Sequence, residues 1–284
     1  MRRRRAQLEE TFIKGLMLFS AVAVLGSLFL ILGTVIWRGL PAMNLAMLTQ
    51  TPKGGYYLGK EGGILNAIVG SLYLAIGGTV VAMIVSLPIA VYLQIYGDRS
   101  RITNLVRLAL DVLWGVPSIV YGAFGFLVML GLGLRASLLG GIITLAFLEL
   151  PIMTRGMDEA ISMVPAALKE ASYAMGATRM ETAFRVVLRQ TGPALLTAVL
   201  LAFGRGIGDA ASVLFTAGYT DRIPTSLLRP VASLPLAVFF QLAVPFPAVQ
   251  QRAYASALIL TIIVLATSLI SRRLAGRMTK HIIR

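Results

Sequence analysis

Long apolar runs of membrane-spanning length limit most what this chain can fold into. A hydrocarbon core about 30 Å thick takes about 20 predominantly apolar helical residues. Gly15–Trp37, Ile64–Tyr96 and Val112–Leu134 contain no charged residue. Ala136–Ile161 is interrupted by Glu149 and Arg155, Pro193–Ala217 by Arg205 and Asp209, and Ala253–Ser271 completes the series. Ile64–Tyr96 exceeds one span and leaves room for an interfacial turn near Asn66. Leu234–Phe246 is apolar but short and carries Pro235 and Pro245, with Pro247 just beyond, so it reads as a re-entrant or interfacial piece. The expected fold is all-α, a polytopic membrane helix bundle of about six transmembrane helices.

Composition narrows the function classes. Hydrophobic residues make up 57% and charged ones 13%, against about 45–50% and 25% in soluble domains. The absence of cysteine excludes disulfides and Cys-ligated metals, and the single histidine, His281, leaves no basis for a His-based metal site or a Ser–His relay. No cofactor is expected. The net charge of +14 comes from cations flanking apolar runs rather than from a basic stripe interleaved with aromatics, so no nucleic-acid partner is expected. Membrane lipid is the expected surrounding.

Charge also predicts orientation. Arg2–Arg5 precede the first run, and Arg272, Arg273, Arg277, Lys280 and Arg284 follow the last. Six spans put both termini on one side, and the bias of Lys and Arg makes that side cytoplasmic. Arg99, Arg101, Arg107, Lys169, Arg179, Arg185 and Arg189 then fall on the same face. The first run is longer than the 7–15 residues of a leader's apolar core and lacks a closing A-x-A, so it reads as a retained span.

The segment between the fourth and fifth runs has the signals of a helical hairpin. Pro165 suits a first helical turn, Ala166–Met175 is rich in helix formers, and Gly176 is placed for a left-handed cap. Thr178-Arg-Met-Glu181 fits a capping box opening a second helix to about Gln190. Leu168, Ser172 and Met175 fall on one face, which suits either a partner's groove or the lipid headgroups.

Glu170-Ala171-Ser172-x3-Gly176, then nine residues, then Val186-Val187-Leu188 resembles the coupling loop of binding-protein-dependent ABC importer permeases. Arg189 stands where that pattern has proline. Gly115-Val-Pro-Ser-Ile-Val-Tyr-Gly122, Leu150-Pro-Ile-Met-Thr-Arg155, Gly204-Arg-Gly-Ile-Gly-Asp209 and Arg229-Pro-Val-Ala-Ser-Leu-Pro235 extend the likeness to the phosphate-permease branch, from about Gly62 to Leu274. The resemblance implies a type I ABC importer permease fold with a cytoplasmic coupling helix, in which Leu168, Glu170, Ala171, Ser172 and Gly176 meet the ATPase. It implies a homologous permease partner in a heterodimer, two copies of an ATP-binding subunit and an extracytoplasmic phosphate-binding protein. Molybdate or sulfate is the alternative cargo. The expected division is a cytoplasmic basic tail, first span and external loop over 1–62, an ABC importer transmembrane domain over 63–274 and a basic cytoplasmic tail over 275–284.

Four charged residues inside the runs are pathway candidates. A central Arg or Asp costs about 2.5–3.5 kcal/mol on insertion scales. Arg205 and Asp209, four apart, form either a structural ion pair or a site where phosphate competes for the guanidinium fork. Gly204, Gly206 and Gly208 thin the helix around them. Arg155 either reaches the headgroups or lines the inner mouth, and Glu149 suits a cation on a partner helix. Gly54-Gly-Tyr-Tyr-Leu-Gly59-Lys60 mimics a phosphate-binding loop, but Glu61 stands where Ser or Thr would ligate Mg²⁺. ATP hydrolysis is therefore expected from a separate subunit.

Overall fold

The computed structural model describes residues 2–53, 62–97 and 100–278; the Gly54–Lys60 loop, Arg99 and His281 lie outside them. Among the described residues, five helices are long and apolar enough to cross a bilayer: Glu9–Ala42, Leu65–Ile95, Leu138–Ser162, Arg179–Ile207 and Pro247–Leu274. In chain order the helices are α1 (Arg2–Gly39), α2 (Leu45–Thr49), α3 (Leu65–Ile95), α4 (Arg101–Gly115), α5 (Ser118–Gly131) and α6 (Leu138–Ser162). They continue as α7 (Ala166–Ala174), α8 (Arg179–Glu181), α9 (Leu188–Ile207), α10 (Leu234–Leu242) and α11 (Pro247–Met278).

The run expected as a third straight span is broken. α4 and α5 meet at 102°, so neither is a span alone, and a sixth crossing requires the bent pair to act as one. The cause is local. Proline disfavours helical geometry in the residue before it, and Val116, preceding Pro117, is extended at φ −71° and ψ 130°. α4 carries Ile102, Leu105, Leu108 and Val112 exposed on its apolar side, as an interfacial helix does. No turn breaks α3 near Asn66. That side chain is buried in the first turn and donates from Nδ2 to the Thr220 carbonyl at 2.7 Å.

The second hairpin helix does not stop at Gln190. α8 runs through a π-helical segment, Thr182–Val187, into α9. The fifth span therefore begins earlier than expected, and it ends at Ile207 rather than Ala217. α10 is a short helix with Leu234, Pro235, Leu236 and Ala237 buried, too short to cross the bilayer, in keeping with its sequence.

α3 and α6 form the centre of the bundle. Glycines let their backbones approach: a Cβ on Gly77 would strike Ile142, on Gly78 Leu145, and on Gly141 Leu74. α9 closes on both through Ala198 and Ala202, which join Ala82, Ala146, Met153 and Met157 in one buried cluster. α1 packs on α11, where Arg38 donates to the Tyr254 hydroxyl at 3.2 Å and lies 5.3 Å over its ring.

Candidate functional site

Arg205 and Asp209 come together at the end of α9. Arg205 Nη1 lies 3.1 Å from Asp209 Oδ1. The helix ends before Asp209, so the pair spans a helix terminus rather than one continuous helical face. Asp209 Oδ2 accepts the Ser212 backbone N–H at 2.8 Å, and its own N–H donates to the Gly206 carbonyl at 3.1 Å. The aspartate is thus held on both oxygens and is buried at 4% side-chain exposure, whereas Arg205 is 49% exposed. One end of the pair is fixed; the other keeps guanidinium donors in an open environment. An oxyanion approaching from that side meets a planar fork already balanced by a carboxylate.

Two other helices build the floor. A Cβ on Gly122 of α5 would lie 2.7 Å from the Ala211 carbonyl and 2.8 Å from that of Ser212. Gly122 therefore seats α5 directly on the turn that Asp209 caps. Because the obstructing atoms are backbone, Gly122→Ala is expected to cost about 1–3 kcal/mol, read as a lower yield of folded, monodisperse protein after detergent extraction.

Glu149 of α6 lies directly beneath Gly206, leaving no room for a side chain there. It is fully buried, and Thr79 Oγ1 of α3 donates to its Oε2 at 2.8 Å. Oε1 has no hydrogen-bond partner among the described residues. The expected cation on a neighbouring helix is not found among the described residues; Glu149 instead ties α3, α6 and α9 behind the Arg205 site.

Arg155 lines a cavity and is held there by two carboxylates. Its Nε lies 2.7 Å from Asp111 Oδ1 and its Nη1 3.3 Å from Asp158 Oδ2. Asp158 also receives Arg107 Nε at 2.9 Å and Gln94 Nε2 at 2.7 Å. This hub joins α3, α4 and α6 beside a cavity of about 350 Å³. It stands six residues, about 9 Å along the helix, beyond Glu149. Sequence reading missed Asp158, Asp111 and Gln94, and took Arg107 only as a charge that sets orientation. The available signal was the i,i+3 spacing of Arg155 and Asp158 together with the i,i+4 spacing of Arg107 and Asp111.

The hairpin forms as its residues dictate. Gly176 adopts φ +84°, and the Ala177 N–H reaches back to the Ser172 carbonyl at 3.2 Å, closing α7 in a left-handed cap. Both halves of the Thr178–Glu181 capping box are present. The three residues expected on one docking face separate, however. Leu168 packs against the bundle core, and buried Ser172 bonds to Thr182 Oγ1 at 2.9 Å. Met175 is 83% exposed. Glu170 and Ala171 also face outward, so Leu168 and Ser172 fasten the hairpin while Glu170, Ala171 and Met175 form its outer surface.

Comparison with known proteins agrees with this architecture. Residues 86–284 match the family described as the binding-protein-dependent transport system inner membrane component. The phosphate transport system permease protein PstA of Yersinia pestis is 32% identical over 90% of this chain and 87% of its own length. PstA of Haemophilus influenzae is 32% identical over 91% and 90%, and the probable ABC transporter permease YqgI of Bacillus subtilis 30% over 70% and 72%. Among solved structures, an inward-facing form of the MetNI methionine ABC transporter aligns with a TM-score of 0.63 at 18% identity, covering 75% of this chain and 95% of that one. That likeness concerns the fold, the type I ABC importer permease arrangement. The chain belongs to the binding-protein-dependent transport system inner membrane component family, as a multi-pass inner-membrane permease of the ABC class.

Proposed function

We propose that this chain is the membrane-spanning subunit through which an ATP-driven importer moves inorganic phosphate into the cell. The observation that carries the reading is near-full-length similarity to phosphate permeases. The half-exposed Arg205, backed by a fixed Asp209, supplies chemistry suited to it. Phosphate oxygens replace part of the Asp209 contact, and the residual negative charge of Asp209 keeps the guanidinium from holding the anion too tightly to release it. Glu149 positions α9 from behind. Arg155 acts at the inner end through Asp111 and Asp158, on the path's wall rather than as a free cation.

Residues 63–274 form the transmembrane domain, with both termini cytoplasmic. The α7 hairpin meets one of two ATP-binding subunits through Glu170, Ala171 and Met175, with Gly176 setting its turn. A homologous permease completes the pathway in a heterodimer, and an extracytoplasmic binding protein delivers phosphate. ATP is hydrolysed by the separate subunits. Closure of the ATPases pulls the hairpin, and because α8 continues unbroken into α9, the pull reaches Arg205 along a single rod.

Uptake of labelled phosphate by cells expressing the complete system tests cargo and coupling together. Excess sulfate or molybdate is expected to leave uptake unchanged, and deleting Ala166–Gly176 to abolish co-purification of the ATPase. Effective competition by molybdate or sulfate would reassign the cargo, and an ATPase retained after the deletion would reject the hairpin as its seat.

A further inference from the structure

A narrow apolar slot of about 390 Å³ runs between the inner half of α3 and the π-helical entry to α9, walled by Met83, Ile84, Leu87, Val91, Phe184 and Leu188. Pro88 contributes no backbone N–H on this side of α3. The π-helical turn opposite, of a kind common at functional sites, leaves Phe184 56% exposed. One end of the slot differs in chemistry. Tyr92 and Tyr96 stack there with centroids 6.1 Å apart, and the Arg179 guanidinium lies 5.9 Å over the Tyr96 ring. The nearby Glu181 carboxylate is turned back onto the Thr178 N–H and hydroxyl.

A slot apolar along its length, with tyrosines and an arginine at one end, matches a phospholipid: acyl chain along the wall, phosphate at the basic end.

We propose that this groove is a binding site for an anionic phospholipid, one acyl chain lying between α3 and the π-helical segment and the headgroup phosphate held by Arg179. The site lies at the junction where the α7 hairpin joins the fifth span. Its assignment to the cytoplasmic leaflet rests on the orientation proposed above, whereas the binding chemistry does not.

The intact transporter complex, reconstituted in nanodiscs of phosphatidylcholine containing phosphatidylglycerol, provides the test through native mass spectrometry of retained lipid. Phosphatidylglycerol is expected to be retained in preference to phosphatidylcholine. Arg179→Gln should reduce its retention about fivefold, the value of one basic side chain near an anionic surface. Ile84→Trp, a larger side chain at an exposed position of the slot wall that leaves Arg179 in place, should reduce retention as well. Arg179 sits over Tyr96 at the end of the slot, whereas Arg185 is an exposed cation on the following segment, so Arg185→Gln should have no effect. Equal retention in all variants, or an equal loss with Arg185→Gln, would overturn the site in favour of diffuse surface attraction. Crosslinking of Phe184→Cys to the second permease would overturn it in favour of a protein occupant. These readouts do not involve transport, so a failure of the phosphate reading would be seen separately, in uptake.

Discussion

Arg205→Ala is expected to lower phosphate uptake about 100-fold while the complex still assembles with its ATPase. Hydrogen bonds to charged groups contribute about 1.5–3 kcal/mol each, and a guanidinium fork offers two in parallel; losing about 3 kcal/mol corresponds to that factor. Assembly should survive because Arg205 is half-exposed and its partner Asp209 keeps a second anchor in the Ser212 N–H. Arg205→Lys retains charge but loses the fork and should fall between the two. Asp209→Asn preserves an acceptor for Ser212 and removes the carboxylate that competes with phosphate, so it should assemble normally and release phosphate more slowly. Uptake per assembled complex, measured beside ATPase co-purification, separates a binding role from a structural pair. Unchanged uptake per complex with Arg205→Ala, alongside a lower yield, would leave only the structural role.

Replacing Asp158 by alanine should have the second large effect, on folding rather than on transport chemistry. The Asp158 side chain is 4% exposed and serves Arg107, Arg155 and Gln94 on three helices. Removing one partner of a buried ion pair costs about 3–5 kcal/mol. Arg107 and Arg155, 32% and 29% exposed, can turn partly to water, which places the expected loss near about 3 kcal/mol. Asp158→Asn keeps the hydrogen bonds and should lose less. The fraction of monodisperse complex after heating in detergent measures both. Equal survival of wild type and Asp158→Ala would show that α4 stays on α6 through its remaining contacts and not through this hub.

The sequence by itself determined the solvent, the helical class and the hairpin. Apolar runs of spanning length have no stable alternative to helix inside a bilayer, because every backbone polar group must be satisfied within the segment. Pro165, Gly176 and the Thr178–Glu181 box act over a few residues, so their outcome was legible without any partner helix. The Arg205–Asp209 pairing was legible for the same reason of short range. Only the tertiary structure decided what Glu149 and Arg155 do, because their partners Thr79 and Asp111 lie 70 and 44 residues away and reach them only when α3 and α4 dock on α6. Gly77 and Gly78 set the distance of α3 from α6, Gly206 that of α9 from α6, and Gly122 that of α5 from the Ala211–Ser212 turn. Helix periodicity states which residues share a face; which face another helix covers depends on atoms far off in the chain.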